Sequence, residues 1–183
     1  MTTRVRLTYE DYAALPDDGR RYELHEGELS VTPSPGTRHQ ATLLNLAVIL
    51  HGHVRTAALG EVFLAPLDCI LAQTTIVQPD IVFVDAARRS VISERGIEGA
   101  PTLVVEVMSP STGAIDRRRK LQLYARYDVP YYWIVDPPAR TIEAYALARG
   151  RYRDAGAISG TTPAALQPFP DLTLDPGGIW PAS

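Results

Sequence analysis

The sequence predicts a mixed α/β fold, in which a β-sheet with parallel and antiparallel strands is flanked by a few helices. Two observations support this prediction. Helical and strand-like patterns alternate along the 183 residues, of which 45% are apolar, and residues 103–135 form a strand–helix–strand unit. Strands joined by a helical crossover are normally parallel, whereas hairpins elsewhere in the chain add antiparallel pairs. We therefore expect a sheet of mixed direction in an α/β or α+β layer architecture.

A short helix and a β-hairpin are predicted near the N-terminus. The helix begins after Thr8, a suitable N-cap, and ends before Pro16. Residues 21–32 alternate between apolar and polar side chains around a turn at Glu26-Gly27, as expected for a hairpin with one apolar face. The opposite face would carry four polar residues, which are Glu23, His25, Glu28 and Ser30.

The middle of the chain alternates between long helical and strand-like patterns. Residues 38–58 repeat apolar side chains at helical spacing, and Gly60 is a helix stop signal. Ser111 or Thr112 can cap a second helix over residues 113–127, while residues 86–99 are expected to be irregular. Apolar runs predict strands at residues 61–65, 67–71, 75–84, 103–108 and 130–135, and a last hairpin at 141–147 and 151–153.

Length and composition limit the class of protein. The length is that of one domain, 1–183, with a core at about 20–147 and a Pro-rich tail at about 160–183 that wraps the surface. No apolar run is long enough to span a membrane, and the N-terminus lacks the apolar core of a signal peptide. The single cysteine, Cys69, excludes a disulfide within the chain and a thiolate metal cluster, so we expect a cytoplasmic location. A net charge of −3 disfavours a nucleic-acid coat protein but permits an enzyme with one basic patch.

A single lysine stands out among the basic residues. The chain has 17 arginines but only Lys120 as lysine. An arginine-rich genome explains most of this bias, yet arginine cannot replace lysine where a compact charge or a shiftable pKa is needed. At about 100° per residue, Lys120 shares the apolar stripe of its helix with Leu123 and Tyr124, and Arg119 points elsewhere. Lys120 is therefore a site candidate, and an ordinary helix pair with Asp116 is the alternative.

Two predicted strands contain a carboxylate where a buried strand should be apolar. Glu106 interrupts the apolar run at 103–108, and Asp80 opens the run that follows Pro79. An unpaired buried carboxylate is costly, so each acid needs a cation, hydrogen-bond donors or a metal ion. An internal salt bridge would meet this need. The two carboxylates could also hold a hard divalent cation, while the lysine assists a water that attacks a phosphate.

An ordered set of short motifs follows these residues along most of the chain. The motifs are Tyr22-Glu23-Leu24, Gly27-Glu28-Leu29, His39-Gln40, Gln78-Pro79-Asp80, Leu103-Val104-Val105-Glu106-Val107, Ser109-Pro110-Ser111-Thr112, Asp116 with Lys120 and Tyr124, and Tyr132-Trp133-Ile134-Val135-Asp136-Pro137. In this order and at these spacings, over residues 8–147, the sequence resembles the Uma-type restriction endonuclease family, within the PD-(D/E)XK nuclease superfamily.

The resemblance implies a restriction-endonuclease-like core and a metal-dependent endonuclease that hydrolyses phosphodiester bonds, with DNA as the expected substrate. It implies that Asp80 and Glu106 bind Mg²⁺ or Mn²⁺, with the carbonyl group of Val107 as a third ligand. The superfamily signature places its lysine two residues after the acid, where this chain has Met108. The resemblance implies that Lys120, on the following helix, supplies the ammonium group that the signature lysine would otherwise provide. A catalytically inactive nuclease-fold module, for nucleic-acid docking or protein assembly, is the alternative function.

Five further residues are candidates for supporting roles. Glu23 or Glu28 would add an acid near the metal, unless the polar face of the hairpin is simply solvated. His39 either caps a helix or contacts the site. Arg117 and Arg118 belong to a basic run that is either solvated or in contact with nucleic-acid phosphates. We also expect a homodimer, because two sites related by a two-fold axis are the simplest means of cutting both strands of a duplex.

Overall fold

The computed structural model describes residues 6–109 and 113–181, and the expected helix caps Ser111 and Thr112 lie outside the described residues. The helices are α1 (Tyr9–Ala13), α2 (Thr37–Thr56), α3 (Gly113–Arg126) and α4 (Pro176–Ile179), with a 3-10 helix at Ala86–Val91. The strands are β1 (Arg21–His25), β2 (Glu28–Thr32), β3 (Gly60–Leu64), β4 (Cys69–Ala72), β5 (Thr75–Val77), β6 (Ile81–Asp85), β7 (Ile92–Ser93), β8 (Gly96–Glu98), β9 (Leu103–Val107), β10 (Tyr131–Asp136), β11 (Thr141–Ala148), β12 (Arg151–Ser159), β13 (Ala164–Leu166) and β14 (Phe169–Leu174).

The described strands form two six-stranded sheets and a separate hairpin, so the mixed α/β prediction is confirmed. The first sheet has the order β2-β1-β5-β4-β8-β7, and the second has the order β12-β11-β10-β9-β6-β3. The expectation of a continuous strand over 75–84 is wrong, because this segment divides into β5 in the first sheet and β6 in the second. Pro79 lies at the division and has no N–H group with which to continue a ladder.

The strand–helix–strand unit has the predicted arrangement. Strands β9 and β10 are parallel and pair Glu106 with Ile134, and α3 connects them. Helix α2 packs on one face of the second sheet, whereas α3 and part of the first sheet pack on the other. Successive side chains of a strand point to opposite faces. Val105 therefore faces α2, while Val104 and Glu106 face α3.

The N-terminal hairpin has the predicted register but a different environment. Leu24 pairs with Leu29, and His25 pairs with Glu28, around a turn in which both central residues have positive φ. The face expected to be solvated is buried at Glu23 and His25. The reason is tertiary: β1 lies inside the first sheet against β5, and β2 forms the edge.

Two connecting segments differ from the sequence prediction. Residues 86–99 contain the 3-10 helix and the short strands β7 and β8. Helix α2 ends at Thr56, before the expected stop signal, and Ala58 takes the left-handed conformation. Gly60 instead opens β3.

Of the helices at 6–109 and 113–181, none combines the length and apolar character that a membrane crossing requires.

The C-terminal segment is part of the core and does more than wrap the surface. It forms the β13–β14 hairpin and α4, and it buries the side chains of Leu166, Phe169, Leu174 and Ile179. The ring centroid of Phe169 lies 5.0 Å from that of Phe83 and 6.1 Å from that of Trp133. The indole N–H of Trp133 donates a hydrogen bond of 2.7 Å to the carbonyl of Gln167.

Phe169→Ala should therefore lower the free energy of unfolding by about 3–5 kcal/mol, because it leaves a cavity among packed aromatic rings. Urea denaturation of the purified protein measures this change. Asp171→Asn, on an exposed position of the same strand, should change stability by less than about 0.5 kcal/mol. An equally small loss for Phe169→Ala would show that the segment is not part of the cooperative core.

Candidate active site

Asp80 lies on the link between the two sheets, immediately before β6, and is buried. Its Oδ2 accepts a hydrogen bond of 2.8 Å from the backbone N–H of Val107 and lies 3.3 Å from Nε2 of His39. Its Oδ1 accepts a hydrogen bond of 3.3 Å from Nη1 of Arg21. Burial alone raises the pKa of Asp80, but His39, Arg21 and the Val107 amide together hold it below its usual value.

Glu106 projects from β9 toward α3 and is also buried. Its Oε2 lies 2.8 Å from Nζ of Lys120, and its Oε1 accepts a hydrogen bond of 2.6 Å from the hydroxyl of Tyr124. Burial raises the pKa of Glu106 against the opposing charge of Lys120, and the charges of Asp80 and Glu23 raise it further. Burial also raises the pKa of Tyr124 far above its usual value, so the hydroxyl keeps its proton and donates to Glu106.

Glu23 is a third buried carboxylate, and Arg21 links it to Asp80. Nη2 of Arg21 lies 3.6 Å from Oε1 of Glu23, while Nη1 contacts Asp80. Glu23 also accepts a hydrogen bond of 2.9 Å from the backbone N–H of Gln78 and lies 3.1 Å from Nε2 of His25. Burial raises its pKa, but Lys120, His25 and Arg21 outweigh burial and lower the pKa to about 2.

A cavity of about 210 Å³ opens beside these groups. Its walls are Arg21, the segment Thr32–Gly36, His39, Asp80, Glu106 to Ser109, Arg117, Lys120 and Tyr132. Asp80, Glu106 and Lys120 are separated along the chain by 26 and 14 residues, yet all three contribute to this cavity. A cavity of about 430 Å³ at the C-terminal end of α2 contains none of the predicted site residues.

The donor set suits a hard divalent cation. Asp80 and Glu106 offer carboxylate oxygens, and Val107 lines the same cavity. The three buried carboxylates contact two basic side chains, because Arg21 lies beside Glu23 and Asp80, and Lys120 lies beside Glu106. Within residues 6–109 and 113–181, no three His, Cys, Asp or Glu side chains are grouped to hold a metal. Water and substrate oxygens would complete the coordination, as is usual for Mg²⁺.

The supporting candidates separate into two groups. His39 contacts Asp80, and Arg117 lines the cavity while it forms an ion pair with Glu143. Glu28 lies on the edge strand, where it is exposed and pairs with Arg119. Arg118 is exposed on α3 and does not line the cavity. The side chain of Asp116, the expected helix partner of Lys120, lies outside the described residues.

Sequence reasoning did not single out Arg21, which contacts two of the three carboxylates. An arginine among 17 arginines carries no compositional signal, and its spacing of two residues from Glu23 shows only that both lie on one strand face. The role of Tyr124 as a donor to Glu106 was also missed. Its position one turn after Lys120 was the available signal, because residues at i and i+4 share a helix face.

A solved structure has the same fold as this chain. The crystal structure of a putative nuclease belonging to DUF820, from Anabaena variabilis, matches with a TM-score of 0.77 and 19% sequence identity. The match covers 94% of this chain and 97% of that chain. At this identity the likeness shows the fold alone, which is a mixed α/β architecture.

A family model identifies the chain more closely. Residues 9–177 match the model of the Uma2 family, which is described as putative restriction endonuclease. The chain therefore belongs to this family, and the resemblance read from its motifs is confirmed. Membership supports a nuclease function. No curated protein matched the sequence.

Arg21→Met should lower the free energy of unfolding at pH 7 by about 3–5 kcal/mol, because it removes the cation between two buried carboxylates. Arg20→Met, which removes an exposed pair with Asp18, should cost no more than about 1 kcal/mol. Urea denaturation of both variants measures the difference.

The cost of Arg21→Met should depend on pH. The pKa of Glu23 is about 2 in the folded protein, and that of Asp80 is lowered. A carboxyl with a lowered folded pKa stabilises the fold above its unfolded pKa, about 4, and loses this contribution as the pH falls toward the folded value. The deficit of the variant should therefore shrink between about pH 4 and pH 2, and a deficit that grows there would contradict the assignment.

Proposed function

We propose that this protein is a divalent-metal-dependent endonuclease that hydrolyses phosphodiester bonds, with DNA as its substrate. The observation that carries the proposal is the meeting of Asp80, Glu106 and Lys120 at one cavity. In this proposal Asp80, Glu106 and the Val107 carbonyl hold Mg²⁺ or Mn²⁺. When bound, such a cation supplies Lewis-acid chemistry, which polarises the phosphate and lowers the pKa of a water. Family membership supports the class of reaction.

The residues around the carboxylates have distinct roles in this mechanism. Lys120 lies 2.8 Å from Glu106 on the cavity wall, so its ammonium group can orient the attacking water and offset negative charge that develops on the phosphate. Tyr124 holds the other oxygen of Glu106. Arg21 and the Val107 amide fix the two oxygens of Asp80, so the site is ordered before substrate binds.

Nucleic-acid contacts are proposed for the basic side of α3. Arg117 lines the cavity and is held by Glu143 and by the hydroxyl of Tyr145. Arg118 is exposed on the same helix, where a phosphate of the substrate could reach it. We also propose a cytoplasmic homodimer, in which two such sites would act on opposite strands of a duplex.

Purified protein with Mg²⁺ or Mn²⁺ should nick supercoiled plasmid DNA, and Asp80→Asn or Glu106→Gln should reduce the rate by at least about a hundredfold. Lys120→Met should reduce turnover similarly but leave metal binding largely intact. Glu61→Gln, at an exposed carboxylate outside the site, serves as the matched control and should cut at the wild-type rate. Failure to cleave duplex DNA, single-stranded DNA and RNA with either metal would contradict the proposal.

A nuclease-fold module without catalytic activity is the second candidate. One observation favours it: both oxygens of Glu106 already have protein partners, Lys120 and Tyr124, in an internal ion pair. Such a pair satisfies a buried acid without a metal. The module would dock nucleic acid or assemble with other proteins.

Titration with Mn²⁺ distinguishes the two functions. An enzyme site should give a binding isotherm by calorimetry and a stability gain of about 2.7 kcal/mol at a hundredfold excess of Mn²⁺ over its Kd. Asp80→Asn should abolish both signals, whereas Glu61→Gln should preserve them. The module predicts no heat and no stability gain, and that result would favour it.

A further inference from the structure

A second cavity adjoins the proposed active site. It is a cleft of about 760 Å³, within the range of sites that bind small molecules. The cleft shares Arg21, Asp80 and residues 32–35 with the active-site cavity. Asp80, a proposed metal ligand, therefore lines the cleft. A molecule bound in the cleft would lie beside the reacting phosphate.

The cleft has exposed apolar walls. Five large apolar side chains are exposed in the described residues, and three of them line the cleft: Val31, Leu44 and Leu64, at 49%, 59% and 42% exposure. They come from β2, α2 and β3, so the tertiary fold assembles this surface from separate elements. Clustered exposed apolar side chains typically mark a binding site.

The same cleft has polar groups suited to a charged ligand. Two arginines, Arg20 and Arg21, line it, and apart from Asp80 its one acid is Asp17. The exposed side chain of Arg20 is placed where an anionic ligand in the cleft can reach it.

We propose that the cleft binds an unstacked nucleotide next to the scissile phosphate, so that the substrate is single-stranded or locally unpaired nucleic acid. This proposal rests on the proposed nuclease function. A nucleotide combines an apolar base face, which matches Val31, Leu44 and Leu64, with an anionic phosphate, which matches the exposed side chain of Arg20. In a duplex the base faces are stacked inside, and only an unstacked base can reach the apolar walls.

Fluorescence anisotropy with a labelled oligodeoxythymidylate of about 12 nucleotides tests the proposal, with a duplex of equal length for comparison. Binding is measured at one salt concentration, because phosphate contacts depend on salt. The wild type is studied in EDTA, and Glu106→Gln is studied in Mg²⁺, conditions in which we expect no cleavage. The single strand should bind at least about tenfold more tightly than the duplex.

Two matched pairs of variants locate the binding surface. Leu44→Asp should weaken single-strand binding about tenfold, whereas Val48→Asp, on the same exposed helix but outside the cleft, should change it less than about twofold. Val31→Asp and Leu29→Asp form the corresponding pair on β2, since only Val31 lines the cleft. The second pair decides the outcome if circular dichroism shows that Leu44→Asp does not fold.

Three results would overturn the proposal. The first is equal or tighter binding of the duplex, or binding of neither nucleic acid. The second is unchanged single-strand binding by both cleft variants. The third is a wild-type dimer that Leu44→Asp converts to a monomer, which would make the cleft a subunit interface. Single-strand binding at the cleft without cleavage would instead contradict only the nuclease function.

Discussion

The burial of three carboxylates where the two sheets meet is the constraint on which the site depends. Glu23 lies in the first sheet, Glu106 in the second, and Asp80 on the link between them. Each acid is buried, so each needs partners that offset the cost of removing a carboxylate from water. Arg21 of β1 contacts Asp80 as well as Glu23, and Lys120 of α3 contacts Glu106 of β9, so these two side chains connect the elements around the site.

The break between β5 and β6 makes this junction possible. Pro79 ends the first ladder, and the backbone N–H of Gln78 donates to Glu23 instead of to a neighbouring strand. Asp80 then accepts a hydrogen bond from the Val107 amide, next to Glu106. Because Asp80 and Gln78 lie on one short link, a single backbone feature holds Glu23 of the first sheet and brings Asp80 to the second. The cleft beside the site has the same origin, since Gln78 and Asp80 line it together with exposed side chains of α2 and β3.

The local sequence pattern was sufficient to predict much of the fold. The hairpin register at 21–32, the parallel pair of β9 and β10 and the extent of α2 follow from alternation and helical spacing, which are properties of neighbouring residues. The division into two sheets and the burial of the C-terminal hairpin could not be predicted from these local patterns. A short apolar run has the same sequence pattern whichever sheet it joins. Phe169 is buried because it packs against Phe83 and Trp133, which are distant in sequence.

The sequence by itself singled out three residues that break a local pattern: Glu106 inside an apolar run, Asp80 at the start of another, and Lys120 on an apolar helix stripe. Each of them breaks a local pattern, and a broken pattern is visible without coordinates. Only the tertiary structure decided that Glu23 joins them while Glu28 does not, and that Arg21 is their shared cation. The physical reason is that burial depends on which strand becomes the sheet edge, and pairing depends on distances across the fold. Neither quantity is encoded in the spacing of residues along one strand.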